Sequence, residues 1–286
     1  MKILLIGGDA RMHTVARLLE LHGAAVRCLA LPAGAPHPTE DLFSATQGAE
    51  AIILPLPATR DGVFPTAQAG VTVPRLSSVF SRAEDECLLL GGMLSPSLLA
   101  MAAEAGLETA DYYQSEALLE KNAALTAEAA VAMAALDLPV SLAGTTVSII
   151  GAGRIARRLT HLLRALSANV LLYARNPAAR QEAALWGATV YPITAGEVLR
   201  MPGGVRAVFC TVPAPIFDRA AVEALPRGIP FYDLGGGGID REAASACGIP
   251  LPPSAGLPGR FSPESAGEYL FDEIRSILLE KRGVRL

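Results

Sequence analysis

Residues 146–156 read TVSIIGAGRIA, an apolar run that leads directly into two glycines separated by one residue. The apolar run predicts a buried strand that ends in a glycine turn, and the residues after the turn predict a helix near 154–166. Strand, tight turn and helix in this order are typical of a βαβ unit. The stretch therefore predicts a parallel α/β domain.

The same alternation of apolar runs and helical segments occurs throughout the chain. Strands are predicted over 2–8, 24–31, 51–56, 87–92, 146–153, 168–174, 207–212 and 230–236, with a further helix near 11–22. The two halves match at an offset of 144 residues, at the pairs Ile6 and Ile150, Leu18 and Leu162, Val26 and Val170, and Gly91 and Gly235. We therefore predict an α/β fold of two doubly wound parallel-sheet domains with a cleft between them, the second domain being Rossmann-type.

Composition and charge restrict the class of protein. Hydrophobic residues make up 51% of the 286 residues and charged residues 18%, which suits parallel sheets buried on both faces. The net charge of −4 and the pI near 5.7 give no reason to expect a nucleic-acid or membrane partner. The four cysteines and four histidines are scattered without metal-ligand spacing, so we expect reduced thiols, no metal site and a cytoplasmic location.

The glycine turn fits the GxGxxG/A pattern of dinucleotide-binding domains. Gly151 permits the tight turn, Gly153 lets the backbone approach a pyrophosphate, and Ala156 lets the helix pack close to the strand. The pyrophosphate is then held by free amides at the helix N-terminus, next to Arg154 and Ile155. This predicts a nicotinamide dinucleotide site.

The end of the next strand indicates which dinucleotide is bound. An NAD-selective domain normally has Asp or Glu there, whereas this chain has Arg175 and Asn176, with Arg180 close behind. A guanidinium pairs well with a 2′-phosphate, and the Asn176 amide can donate to it. We therefore predict NADP, with NAD as the alternative. The segments Thr211-Val212-Pro213 and Asp233-Leu234-Gly235 end two later strands and are expected at the same edge.

The first glycine turn predicts a different role for the first domain. By the 144-residue offset, Asp9 stands where Gly153 stands in the second turn. A carboxylate at that position opposes a pyrophosphate by charge and by bulk. We therefore expect the first domain to hold the substrate.

The chain resembles the dipicolinate synthase A-subunit family of spore-forming bacteria. The resemblance includes Ile6-Gly-Gly-Asp-Ala-Arg11, Ile53-Leu54-Pro55, Ala58-Thr59, Asn122, Thr126, Glu128, Gly151, Gly153, Arg154, Ala174-Arg175, Gly256-Leu-Pro-Gly259, Pro263 and Ala266-Gly267. It implies a Rossmann-type oxidoreductase that converts dihydrodipicolinate to dipicolinate with NAD(P)⁺. It also implies a partner, the flavoprotein-like B subunit of dipicolinate synthase, and a cytoplasmic role in the mother cell during sporulation.

A small dicarboxylate substrate requires cations or hydrogen-bond donors at both ends. The candidates are Arg11 in the first glycine turn, Thr59 and Arg60 after a strand, and Asn122 and Thr126 on an alanine-rich helix predicted over 115–137. Glu128 on the same helix is the candidate proton acceptor, although residues two apart on a regular helix point to different sides.

The predicted domains follow from these assignments. Residues 1–120 form a substrate-side domain completed by a C-terminal helix (265–282), residues 121–140 a bridging helix and linker, and residues 141–264 the NAD(P)-binding domain. Two alternatives stay open: a dehydrogenase of amino acids or 2-hydroxy acids, and a non-catalytic NADP-sensing regulatory subunit. The chain lacks a histidine after His161, which removes the usual acid–base group of a hydroxy-acid enzyme. The sequence also leaves open whether the chain forms homo-oligomers.

Overall fold

A computed structural model describes residues 1–39 and 41–285 of the chain. The chain divides into two compact units: the first contains Met1–Lys121 and the residues from Ser262 onward, and the second contains Asn122–Phe261. Each unit is built around one sheet in which all strands are parallel.

The first unit has a six-stranded sheet in the order β3-β2-β1-β4-β5-β6, the doubly wound Rossmann order. Its elements are β1 (Lys2–Ile6), α1 (Ala10–Leu21), β2 (Ala25–Leu29), β3 (Pro38–Thr39), α2 (Leu42–Thr46), β4 (Ala51–Ile53), α3 (Leu76–Phe80), β5 (Leu88–Gly91), α4 (Pro96–Glu104), β6 (Glu108–Asp111), a 3₁₀ turn (Tyr112–Gln114), the start of α5 (Glu116–Asp137) and, at the C-terminus, α11 (Pro263–Arg282).

The second unit has a five-stranded sheet in the order β11-β10-β7-β8-β9, which repeats the same winding. Its elements are the remainder of α5, then β7 (Thr146–Ile150), α6 (Arg154–Ala165), β8 (Asn169–Ala174), α7 (Pro177–Leu185), β9 (Thr189–Pro192), β10 (Val205–Cys210), α8 (Arg219–Glu223), β11 (Phe231–Asp233), α9 (Arg241–Ala246) and α10 (Leu257–Phe261). The predicted fold class of two parallel α/β domains is confirmed.

The central strands are mostly apolar because both faces of each sheet are covered, with exceptions such as Lys2 at the start of β1 and the buried Ser148 in β7. In β7, Val147 and Ile149 pack into the core on the α6 side, whereas Ile150 packs into the core on the α8 side. The four strands predicted for each sheet are all present. The edge strands β3, β6 and β9 were not predicted, because they are short and consist of partly exposed residues without an apolar run.

Helix α5 begins in the first unit and continues into the second. Leu118 packs into the core of the first unit, and Ala127, Ala130 and Ala134 pack into the core of the second. Within the described residues, none of the helices combines the length and the apolar character needed to cross a bilayer.

Candidate functional site

The N-terminus of α6 is open. Gly153 is its N-cap, with extended backbone angles and no side chain to accept a hydrogen bond from the first turn. A Cβ atom built on Gly153 meets no other atom within 4 Å, and both Gly153 and Arg154 are exposed. The N-cap position of α6 therefore leaves open space at the positive end of the helix dipole, which suits an anion such as a diphosphate.

Gly151 is required by its contacts with the end of β10. Its φ is +106°, and a Cβ atom there would overlap Thr211 Oγ1 and lie 3.0 Å from Val212 Cγ2. The Thr211 hydroxyl donates to the Ile150 carbonyl at 2.9 Å, which ties the ends of β7 and β10 together. Thr211 and Val212 thus lie against the glycine turn, with Pro213 exposed beside them.

The corresponding turn of the first unit is closed by the chain itself. Asp9 is the N-cap of α1, and its carboxylate accepts from the Arg11 amide at 3.1 Å and from Arg11 Nε and Nη2 at 2.8 and 2.9 Å. The Gly8 amide donates to the Thr66 carbonyl at 2.6 Å. The backbone amides of Arg11 and Gly8, which could otherwise donate to an external anion, are thus already bonded to the Asp9 carboxylate and the Thr66 carbonyl.

The residues after β8 differ in what their side chains do. Asn176 caps α7 by accepting from the amides of Ala178 and Ala179 at 2.8 and 3.4 Å. Arg180 Nη1 donates to the carbonyls of Ala174 and Arg175 at 2.8 and 2.7 Å, so it holds the loop in shape. The Arg175 side chain is exposed and forms no hydrogen bond or ion pair with any residue that the structure describes. Arg175 is therefore the cation of this segment that is available to a ligand.

Asp233 organises the glycine-rich loop that follows β11. It is 8% exposed, and its carboxylate accepts from the amides of Gly237 and Gly238 at 2.8 and 3.2 Å. A Cβ atom on Gly235 would lie 2.5 Å from the Val212 carbonyl carbon, so this loop packs directly on the segment after β10. Asp233 and Gly235 thus shape this edge of the sheet, and the Asp233 carboxylate is already engaged within the loop.

The candidate substrate residues of the first unit lie at the carboxyl edge of its sheet. The Arg11 side chain is 9% exposed, and its guanidinium donates to Asp9 and to the Leu56 carbonyl. The Thr59 hydroxyl donates to Asp61 at 3.1 Å and accepts from the Gly62 amide at 2.9 Å. Arg60 is exposed. Arg11 and Thr59 are thus already bonded within the unit, whereas Arg60 faces solvent.

Helix α5 brings two of its three candidates together. The buried Thr126 hydroxyl donates to the Asn122 carbonyl at 2.8 Å, one helical turn earlier. Glu128 is exposed and lies two positions beyond Thr126 on an uninterrupted helix, so it points to a different side. The three residues therefore do not form one cluster along the helix.

Sequence reasoning missed two aromatic residues on the two strands that follow the second glycine turn along the chain. Tyr173 and Tyr191 lie on β8 and β9, and their rings stack with centroids 5.1 Å apart. No local motif marks them, because a tyrosine in an apolar strand is ordinary core material. Only the pairing of β8 with β9, which aligns Tyr173 with Tyr191, would have placed the two rings side by side.

The sequence matches two protein families and one characterised relative. Residues 2–113 match the family of the N-terminal domain of the dipicolinate synthase A subunit, and residues 115–202 match the NAD-binding domain family of D-isomer-specific 2-hydroxyacid dehydrogenases. The chain is 25% identical over 289 aligned residues to the A subunit of dipicolinate synthase from Bacillus subtilis, covering 98% of this chain and 96% of that protein.

Solved structures agree with these matches. The dipicolinate synthase A subunit from Bacillus halodurans superposes with a TM-score of 0.82 at 23% identity, covering 97% of each chain. The corresponding protein from Bacillus subtilis gives 0.80 at 24% identity, covering 98% of this chain and 96% of that one. A transhydrogenase from Sinorhizobium meliloti gives 0.68 at 18% identity, covering 97% and 93%.

Proposed function

We propose that the chain oxidises dihydrodipicolinate to dipicolinate with NADP⁺ or NAD⁺ as hydride acceptor. The proposal is supported by the similarity to the A subunit of dipicolinate synthase over nearly the whole length of the chain. The match to an NAD-binding domain of the dehydrogenase type supports it as well. The observation that carries the proposal is the contrast between two equivalent helix N-termini. That of α6 is open at Gly153, and that of α1 is filled by Asp9. One unit thus offers a dinucleotide site and leaves the other for a different ligand.

The cofactor residues divide by the part of the dinucleotide they would hold. The backbone of Gly151, Gly153, Arg154 and Ile155 would bind the diphosphate. Thr211, Val212, Pro213 and the loop held by Asp233, which includes Gly235, would border the nicotinamide half. When bound, the nicotinamide supplies the acceptor for a hydride.

The preference for NADP rests on Arg175. Its exposed guanidinium follows the strand whose end normally carries the acid of an NAD-selective site. Asn176 and Arg180 support it by fixing the loop that carries it, as their bonds to α7 and to the Ala174 carbonyl indicate. This arrangement favours a phosphate on the adenosine ribose.

The substrate would be bound through its two carboxylates. Arg60 is the exposed cation of its loop, Thr59 lies beside it, and Arg11 is held in place by Asp9. Asn122 and Thr126 are the proposed contributions of α5, because Glu128, the proton acceptor expected from the sequence, points to a different side of the uninterrupted helix. Loss of hydride and proton from a dihydropyridine gives an aromatic ring, so orientation against the nicotinamide is the main task of the protein.

The proposal includes a second subunit. The family resemblance supports a partner, the flavoprotein-like B subunit, in the cytoplasm of the mother cell, and homo-oligomers are compatible with it. Activity assays must therefore be made both with and without that subunit, since a requirement for it would imitate an inactive protein.

The test is direct. The purified chain is titrated with NADP⁺, NADPH, NAD⁺ and NADH by calorimetry, and it is then incubated with dihydrodipicolinate and NADP⁺ while NADPH absorbance is followed. We expect saturable binding and NADPH formation. Binding without turnover, even with the second subunit, would favour a regulatory NADP sensor, and turnover of an amino acid or 2-hydroxy acid instead would favour the dehydrogenase alternative. The absence of any saturable binding would refute the oxidoreductase proposal.

A further inference from the structure

The segment that leads from β4 to Thr59 and Arg60 consists of residues 54–58, which read LPLPA. It leaves the sheet at its carboxyl edge, and Leu54, Leu56 and Ala58 are buried. The prolines at 55 and 57 have no amide hydrogen. The segment is therefore held in place through its carbonyl groups and its three other amides.

Backbone groups at the end of β5 make part of this attachment. The Leu54 amide donates to the Leu90 carbonyl at 2.8 Å, and the Gly92 amide donates to the Pro55 carbonyl at 3.2 Å. The Ala58 amide donates to the Gly92 carbonyl at 2.7 Å. These bonds join two neighbouring strand ends and involve no side chain.

Two side chains complete the attachment. The Leu54 carbonyl accepts from the Tyr112 hydroxyl at 2.9 Å, and the Leu56 carbonyl accepts from Arg11 Nη2 at 2.5 Å. Tyr112 is 1% exposed, and burial raises the pKa of its hydroxyl well above the usual value, so the group is a donor at neutral pH. A Cβ atom on Gly92 would lie 2.7 Å from the Tyr112 ring, so glycine there makes room for it.

The backbone of Tyr112 is fixed independently of its hydroxyl. The Asp111 carboxylate accepts from the amides of Met93 and Leu94 at 3.1 and 2.9 Å and from the Tyr113 amide at 2.8 Å. Asp111 thus ties the end of β6 to the residues after β5. Removal of the Tyr112 hydroxyl alone should therefore release the Leu54 carbonyl and leave the ring in place.

The position of Arg60 depends on this segment. The Arg60 side chain is exposed and forms no hydrogen bond or ion pair with any residue that the structure describes. Its location is therefore set by the backbone that carries it. A shift of residues 54–58 moves Arg60, and small misplacements of a binding group weaken its contact with a ligand.

We propose that Tyr112 is a positioning residue of the substrate site, which acts through residues 54–58 on Arg60. The inference rests on the proposed function and goes beyond it, because it gives a part in substrate binding to a buried side chain that touches no ligand. It separates the two ligands of the protein. Loss of the Tyr112 hydroxyl should weaken the substrate and spare the coenzyme.

The experiment starts from Tyr112→Phe, with the second subunit present if turnover requires it. The KM for dihydrodipicolinate and the Kd for dipicolinate, measured by calorimetry, should rise by about threefold to tenfold, the size of one neutral hydrogen bond. The kcat and the Kd for NADP⁺ should change little, because a contact made equally in the ground state and the transition state affects KM alone.

A double-mutant cycle with Arg60→Ala tests the route. Arg60→Ala should itself weaken dipicolinate, and Tyr112→Phe should add little in that background, because the group that Tyr112 positions is gone. An equal effect of Tyr112→Phe in both backgrounds, or an Arg60→Ala variant with unchanged dipicolinate affinity, would overturn the inference and leave the proposed function intact.

Tyr232→Phe is the matched control. Tyr232 is also fully buried, and its hydroxyl donates to Asp137 at 2.9 Å in the second unit. Melting temperatures of both variants measure any general loosening of the fold. An unchanged KM in folded Tyr112→Phe, or an equal rise in Tyr232→Phe, would contradict a positioning role. An unmodified chain that binds dinucleotide but neither turns over dihydrodipicolinate nor binds dipicolinate would overturn the proposed function together with the inference.

Discussion

Asp9 and Gly153 are equivalent residues with opposite consequences. Each is the N-cap of the 12-residue helix that follows the first strand of its unit, and their ψ angles are −166° and −168°. The Asp9 carboxylate is bound in two places by Arg11, whereas Gly153 has no side chain and open space beside it. The same backbone therefore closes an anion site in one unit and presents one in the other.

Gly153→Asp should convert the second turn into a copy of the first. An N-cap aspartate supports a helix by only about a few tenths of a kcal/mol relative to glycine, so the variant should melt at the same or a slightly higher temperature. Its carboxylate would oppose the diphosphate, and dinucleotide affinity should fall by about tenfold or more.

Gly153→Ser is the control for that substitution, because it caps the helix without adding charge. Calorimetric titration of both variants with NADP⁺ measures the difference. Equal affinities for the aspartate and serine variants would contradict a role for charge at this position.

Arg175→Asp should change the choice of coenzyme. The substitution removes the exposed guanidinium and supplies the acid that accepts from ribose hydroxyls in NAD-selective sites. NADP⁺ affinity is expected to drop by at least about tenfold, as for the loss of a charge-assisted contact, while NAD⁺ affinity changes little. The same charge change at Arg206, an exposed residue near the start of β10, should affect neither. Equal losses of affinity for NADP⁺ and NAD⁺ would show that Arg175 does not contact the 2′-phosphate.

Arg11→Ala should impair turnover and spare coenzyme binding. The substitution removes the guanidinium donor of the Leu56 carbonyl and leaves the Asp9 carboxylate only the backbone amide of residue 11, so we also expect a loss of about 1–3 kcal/mol in the free energy of unfolding. Chemical denaturation measures that loss, and steady-state assays below the melting temperature measure turnover.

Asp9→Asn separates the two effects of Arg11. It weakens the hydrogen bonds between residue 9 and the Arg11 guanidinium but keeps the Arg11 side chain, so turnover should fall less than in Arg11→Ala. Full activity of Arg11→Ala at a temperature where it is folded would exclude a substrate role for this residue.

The thiols should differ sharply in reactivity. Burial raises the pKa of Cys28 to about 12 and that of Cys87 and Cys210 to about 11, whereas Cys247 is partly exposed. The thiolate is the reactive form, so at pH 8 iodoacetamide should label the native chain at Cys247 alone. Labelling of the three buried thiols requires pH values above about 10 or unfolding. Cys247→Ser should be unreactive when native, and mass spectrometry that finds a second modified cysteine at pH 8 would contradict the assignment.

The central strands were predictable because each is buried on both faces. A strand such as β1 or β7 must be apolar at most of its positions, and that leaves a nearly continuous apolar run in the sequence. The edge strand β9 is half covered and reads Thr-Val-Tyr-Pro, which has no such run. Its existence depends on pairing with β8, a contact between segments that are apart in the chain.

Residue order alone was enough to predict the two parallel α/β domains, the glycine turn at 151–153 and the lack of an acid after β8, because each depends on residues that are neighbours along the chain. The folded arrangement was needed to learn that Asp9 and Thr66 close the first turn, that Asn176 and Arg180 are occupied while Arg175 is exposed, and that the Tyr112 hydroxyl bonds the Leu54 carbonyl. The physical reason is that a polar group is free or satisfied according to which partners the fold brings within about 3 Å of it.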